Sequence, residues 1–135
     1  MLQETLSHIN YLAVLVGFII ASGLGMLWYS KFMFMKQWEV LINRTEKSDQ
    51  SIGIICSMIV NLAWSFGIAV AFKYFEVSTV WTGLKFGLFL ALFFSVSVIF
   101  LNNTFQGKSW KLSAIDAGYV TTSLLIISAI VSAWK

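Results

Sequence analysis

Four apolar stretches, Ile9–Ser30, Ile52–Phe72, Val80–Leu101 and Leu112–Trp134, fill most of this chain, and the first two hold no charged residue. A helix rises about 1.5 Å per residue, so a run of just over twenty residues covers the roughly 30 Å of a bilayer's hydrocarbon layer. Lipid offers backbone N–H and C=O groups no partner, which restricts spanning segments to helices or closed barrels. Uninterrupted apolar runs lack the alternation of a barrel strand, so helices are expected. Only 11% of the residues are charged, against about 25% in a soluble domain, too few to cover an aqueous surface. The chain therefore reads as one transmembrane domain over residues 1–135, an all-α antiparallel bundle of four membrane-spanning helices. Without proline, no span is expected to carry a proline kink.

The flank Met1–His8 carries Glu4 and no Lys or Arg, and the apolar run after it exceeds the length of a signal-peptide core, so the first span is expected to stay attached. The single cysteine, Cys56, lies within the second span and allows no intrachain disulfide. Basic residues are unevenly shared between the two sides. Lys31, Lys36, Arg44, Lys47, Lys108 and Lys111 follow spans one and three, whereas Lys73, Lys85 and Lys135 belong to the other side. The positive-inside rule then places the loops after spans one and three in the cytoplasm and both termini outside it.

Only the loop Lys31–Ser51 is long enough for structure of its own. At about 100° per residue, Phe34, Met35, Trp38, Leu41 and Ile42 share one arc, with Lys36, Asn43 and Arg44 opposite. A short amphipathic helix lying in the membrane interface is expected there, followed by a polar run that ends at Gln50.

Each span also carries small residues four apart, hence on one helix face. They are Ala13, Gly17, Ala21 and Gly25 in the first, Gly53, Ser57, Asn61, Ser65 and Ala69 in the second, and Gly83, Gly87, Ala91 and Ser95 in the third. In the fourth, Ala117 and Thr121 form one line and Gly118 and Thr122 the next. Small side chains let helix backbones approach, the main route to association in lipid, so these faces are expected to pack. Asn61, near the middle of span two, needs a hydrogen-bonding partner and is a candidate ligand contact.

Lys85 and Asp116 are the ionisable residues within the spans, and such groups are candidates for function. Lys85 lies near the outer end of span three and is expected to snorkel outward. Asp116 lies near the cytoplasmic end of span four, roughly 18 Å away in level by the helical rise, and cannot reach far. Its level is shared by Tyr29 and Ser30 at the end of span one, Asn102 and Asn103 at the end of span three, and Tyr119 on its own face. The candidate ligand-binding set is therefore Tyr29, Ser30, Asn61, Asn102, Asn103, Asp116 and Tyr119. Asp116 is expected to be held by Tyr29, by an asparagine, or by a lysine of the third loop.

Two blocks of the chain resemble a known family, the small bacterial membrane proteins catalogued as the domain of unknown function 1761. The first runs from His8-Ile9-Asn10-Tyr11-Leu12-Ala13-Val14-Leu15 to Gly25-Met26-Leu27-Trp28-Tyr29-Ser30, then Phe34, Lys36 and Trp38. The second is Asn103-Thr104-Phe105-Gln106-Gly107-Lys108-Ser109, then Asp116-Ala117-Gly118-Tyr119 and Trp134. The resemblance implies a multi-pass protein of the bacterial plasma membrane and supplies no substrate. The family usually has proline where this chain has Lys31, a departure that argues against a sharp break after span one. It commonly has asparagine where this chain has Asp116, which argues against an obligatory carboxylate and so against a proton relay built on it.

An enzyme is the class least favoured by these residues. There is one histidine, no cluster with metal-ligand spacing and no phosphate-binding loop, so no cofactor, metal or nucleic-acid partner is expected. A non-catalytic membrane component that binds lipid, a small apolar molecule or a membrane partner is the reading favoured. A subunit of an oligomeric small-solute or ion transporter is the alternative. The expected partners are the lipid bilayer and further copies of the chain.

Overall fold

The computed structural model describes residues 2–44 and 50–134. The polar run before Gln50, including Lys47, lies outside the described residues, as do Met1 and Lys135. The helices are α1 (Leu2–Ser7), α2 (Tyr11–Trp28), α3 (Met35–Leu41) and α4 (Ser51–Tyr74), followed by α5 (Val80–Phe105) and α6 (Trp110–Ala133). Four of them, α2, α4, α5 and α6, are long and apolar enough to cross a membrane.

Side-chain caps set where three of these helices begin. Asn10 accepts from the N–H groups of Leu12 and Ala13, Thr79 from that of Thr82, and Ser109 from that of Lys111. Each cap satisfies backbone donors that the first helical turn leaves without partners. Left-handed residues end three helices: Asn43 (φ 52°), Glu76 (φ 53°) and Gly107 (φ 68°). In each case the next N–H reaches back to a carbonyl of the last turn, Arg44 to Glu39, Val77 to Phe72 and Lys108 to Asn103.

α6 is the hub. It packs against α2, α4 and α5, and it contributes Leu112, Ala117, Tyr119, Val120, Leu124 and Ile127 to the core. The small faces of α2 and α5 meet this core as expected: Ala13, Gly17 and Ala21, and Gly83, Gly87 and Ala91, are all buried. A Cβ at Gly83 or Gly87 would run into the side chains of Ser132 and Ser128, so α5 lies nearly backbone to backbone on α6. Ser128 and Ser132, also four apart, are the fourth helix's share of the contact and lie outside the lines expected there, Ala117 with Thr121 and Gly118 with Thr122.

In α4 the small line packs only in part. Asn61, Ser65 and Ala69 are buried, but every residue from Ser51 to Val60 is exposed, and among the described residues none lies within 4 Å of a Cβ placed at Gly53. The N-terminal half of α4 leans away from α2, so Gly53 and Ser57 face open space.

α5 is not a uniform helix: Ala91–Val96 form a π-helical turn. Twelve residues separate Ala91 from Asn103, and at about 100° per residue a plain α-helix would leave them roughly 120° apart. A π-turn that absorbs one residue reduces this to about 20°. Both Ala91 and Asn103 are in fact buried, on the side that meets α6.

Candidate functional site

Where α2 ends, the chain turns back sharply even though Lys31 stands in the place of a proline. The N–H of Phe34 donates to the Trp28 carbonyl at 3.0 Å and the Trp28 and Phe34 rings stack with centroids 4.9 Å apart. This folds α3 under the end of α2. Its arc of Phe34, Met35, Trp38, Leu41 and Ile42 is half-buried against the protein, while Lys36 and Asn43 are exposed and Arg44 is half-buried.

Trp28 fastens this end to α6. Its indole N–H donates to the Ile115 carbonyl at 3.0 Å, and its ring occupies the space a Cβ on Gly118 would need. The next residue, Tyr29, caps α2 and donates its hydroxyl to Asp116 Oδ1 at 2.7 Å. A hydrogen bond to an ionised acceptor is about twice as strong as a neutral one and offsets part of the cost of a carboxylate at membrane depth. Trp38, Asn103 and Lys108 are near enough to act on this carboxyl electrostatically.

One turn further along α6, Tyr119 lies over Gly25, where a Cβ would stand 2.9 Å from its hydroxyl. That hydroxyl pairs in both directions with the Asn61 side chain, accepting from Nδ2 at 3.0 Å and donating to Oδ1 at 3.2 Å. Asn61 Nδ2 also reaches Ser22 Oγ at 3.3 Å. Three helices are thereby tied by one buried amide. The Tyr29 ring joins the two groups, meeting Tyr119 edge-on at 5.5 Å and Trp38 edge-on at 5.6 Å.

Above these residues, where α4 leans away, opens a pocket of about 950 Å³. Tyr29, Asp116, Tyr119 and Ser22 form its floor, Met26, Met35, Ile42, Ile54 and Met58 its apolar walls, and Lys31, Arg44 and Gln50 contribute polar groups. A layer made by Val14, Gly17, Ser65 and Ile127 lies beyond the floor. Ser65 donates to the Val14 carbonyl at 2.7 Å, and both Ser65 and Ile127 have no exposed surface. A hollow of about 300 Å³ lies at the opposite end, lined by Asn10, Lys73, Glu76 and Trp134 among others. There the Asn10 amide donates to the Trp134 carbonyl at 3.4 Å.

Of the residues expected at the site, Tyr29, Ser30, Asp116 and Tyr119 line the pocket. Asn61 stands behind Tyr119, only 1% exposed. Asn103 is buried beside Asp116 and donates to Ser113 Oγ at 3.1 Å. Asn102 is exposed and does not join the cluster, because adjacent helical positions point about 100° apart. Lys85 is exposed, its ammonium 5.2 Å from the Trp81 ring. Trp38, Ser22 and Gly25 were missed as site residues. Trp38 carries the signal of an amphipathic interfacial helix and Gly25 that of helix packing.

The family described as protein of unknown function (DUF1761) matches residues 12–132 of the chain. The chain belongs to that family. No curated protein and no solved structure matches it. The residues that carried the resemblance are those that interlock here: Gly25 with Tyr119, Trp28 with Gly118 and Tyr29 with Asp116.

Proposed function

We propose that this protein is a non-catalytic membrane component that binds a lipid or another amphiphile in the pocket between α2, α3 and α4. The observation that carries the reading is the pocket's make-up, methionine and isoleucine side chains beside tyrosine, carboxyl and basic groups, with a volume in the range of small-molecule sites. The packed layer around Ser65 and Ile127 makes it a dead end, which supports binding over passage through a single chain. A transporter would need its path between copies. By the charge asymmetry, the pocket opens on the cytoplasmic side of the bacterial plasma membrane and both termini lie on the other.

Gly53 offers the test, because it lines the pocket and no atom of the described residues lies within 4 Å of a Cβ placed there. Gly53→Trp should fill the pocket and leave the packed core untouched. Native mass spectrometry of protein released from a mild neutral detergent should find a retained amphiphile on the parent and none on the variant. Equal retention by the two proteins would overturn the reading.

A further inference from the structure

Three aromatic rings and one carboxylate meet at the floor of the pocket. Tyr29 is central: its hydroxyl holds Asp116 and its ring touches those of Trp38 and Tyr119 edge-on. All four side chains line the same cavity. In an edge-on pair one ring turns its edge to the face of the other, so each such contact leaves at least one face of each ring for another partner, and an aromatic face carries negative charge density that attracts cations. The Asp116 carboxyl, half-buried beside these rings, adds hydrogen-bond acceptors and, when ionised, negative charge where water is partly excluded.

Resting on the reading of this pocket as an amphiphile site, we propose that its floor recognises an ammonium group, so that the ligand is an ammonium-headed amphiphile with its apolar body along the walls. Met26, Met35 and Met58 with Ile42 and Ile54 suit an alkyl body, and the flexible thioethers accept chains of differing shape. The charges facing the site limit the choice of ligand. Lys31 and Arg44 share the lining, and Lys108 acts on Asp116 from outside it. Lys31, which lines the same cavity, complements an anionic group carried alongside the ammonium. A zwitterionic lipid headgroup meets both demands, and a simple cationic amphiphile meets the first alone. An amide at position 116 would keep the pocket and remove its preference for charge.

The experiment compares probes of one chain length: dodecyltrimethylammonium, dodecylphosphocholine and the uncharged dodecanol. Binding is read by native mass spectrometry on the purified full chain in a neutral maltoside. The ammonium probes should bind the parent at least about tenfold more tightly than dodecanol, the scale expected of combined cation–π and charge-assisted contacts. Asp116→Asn should remove most of that margin and leave dodecanol within about twofold. Trp38→Leu, an independent change on α3, should weaken the ammonium probes and spare dodecanol. A phosphocholine preference that Lys31→Gln abolishes identifies the zwitterionic source, and tighter binding of dodecyltrimethylammonium identifies the cationic one. Ammonium probes no tighter than dodecanol on the parent, or equal weakening of every probe by Asp116→Asn, would overturn the ammonium assignment while the pocket stands. Binding of no probe would overturn the pocket reading itself.

Discussion

Replacing Gly87 and Gly53 by alanine should have opposite consequences, although both glycines sit in lines of small residues spaced four apart. At Gly87 the added methyl would meet Ser128, whose Cβ is 2.9 Å away, and the backbone carbonyl of Leu124 at 3.0 Å. Neither can yield without moving α6 relative to α5, so overpacking of about 1–3 kcal/mol is expected by analogy with soluble cores. At Gly53 none of the described residues lies within reach. Both substitutions gain the helix propensity of alanine, about 1 kcal/mol, which cancels in the comparison. Gly87→Ala should therefore be about 1–3 kcal/mol less stable than Gly53→Ala, and Gly53→Ala no less stable than the parent. Reversible unfolding in mixed micelles, followed by circular dichroism, measures the difference. Equal stability of the two alanine variants would refute the close packing of α5 on α6.

Tyr119→Phe should cost about 0.6–1.7 kcal/mol in the same unfolding assay, because it takes the donor from Asn61 Oδ1. A double-mutant cycle with Asn61→Leu should show coupling, and strict additivity would mean that the bond contributes nothing. Glu76→Gly should stabilise by about 1 kcal/mol, since Glu76 holds a left-handed backbone at φ 53° that glycine adopts without steric strain. A loss of stability there would show that the glutamate side chain matters more than its backbone. In a Cys56→Ser background, a cysteine at Gln3 should react with an impermeant thiol reagent in intact cells and one at Gln37 should not. The reverse pattern would overturn the proposed orientation.

Much of this arrangement was legible in the sequence because lipid imposes few solutions. Span length follows from the rise of a helix, and the small faces of α2 and α5 follow from a spacing of four. Tyr29 and Asp116 were placed at one level by counting residues from the helix ends. What escaped depends on geometry that one helix cannot encode. Gly53 and Ser57 carry the same pattern as Gly83 and Gly87, yet both are exposed and none of the described helices covers them. The π-turn at Ala91–Val96 has no proline to announce it. Trp38 carries the pattern of an interfacial helix, and the fold-back that brings it beneath α2 rests on backbone hydrogen bonds within residues 27–35 and a ring contact, which no periodicity announces. Asn102 and Asn103 are alike in sequence, and only the phase of α5 decides that Asn103 is the one turned inward.

The central claim is that a dead-end amphiphile pocket sits over Tyr29, Asp116 and Tyr119. A high-resolution structure of the protein in a lipid disc tests it most directly. The account predicts elongated density between the N-terminal half of α4 and the end of α2, with its polar end within hydrogen-bonding distance of Asp116 or against the rings of Tyr29, Trp38 and Tyr119. A file of waters running from the pocket past Asn61 and Ser65 to the hollow at Asn10 and Trp134 would contradict it.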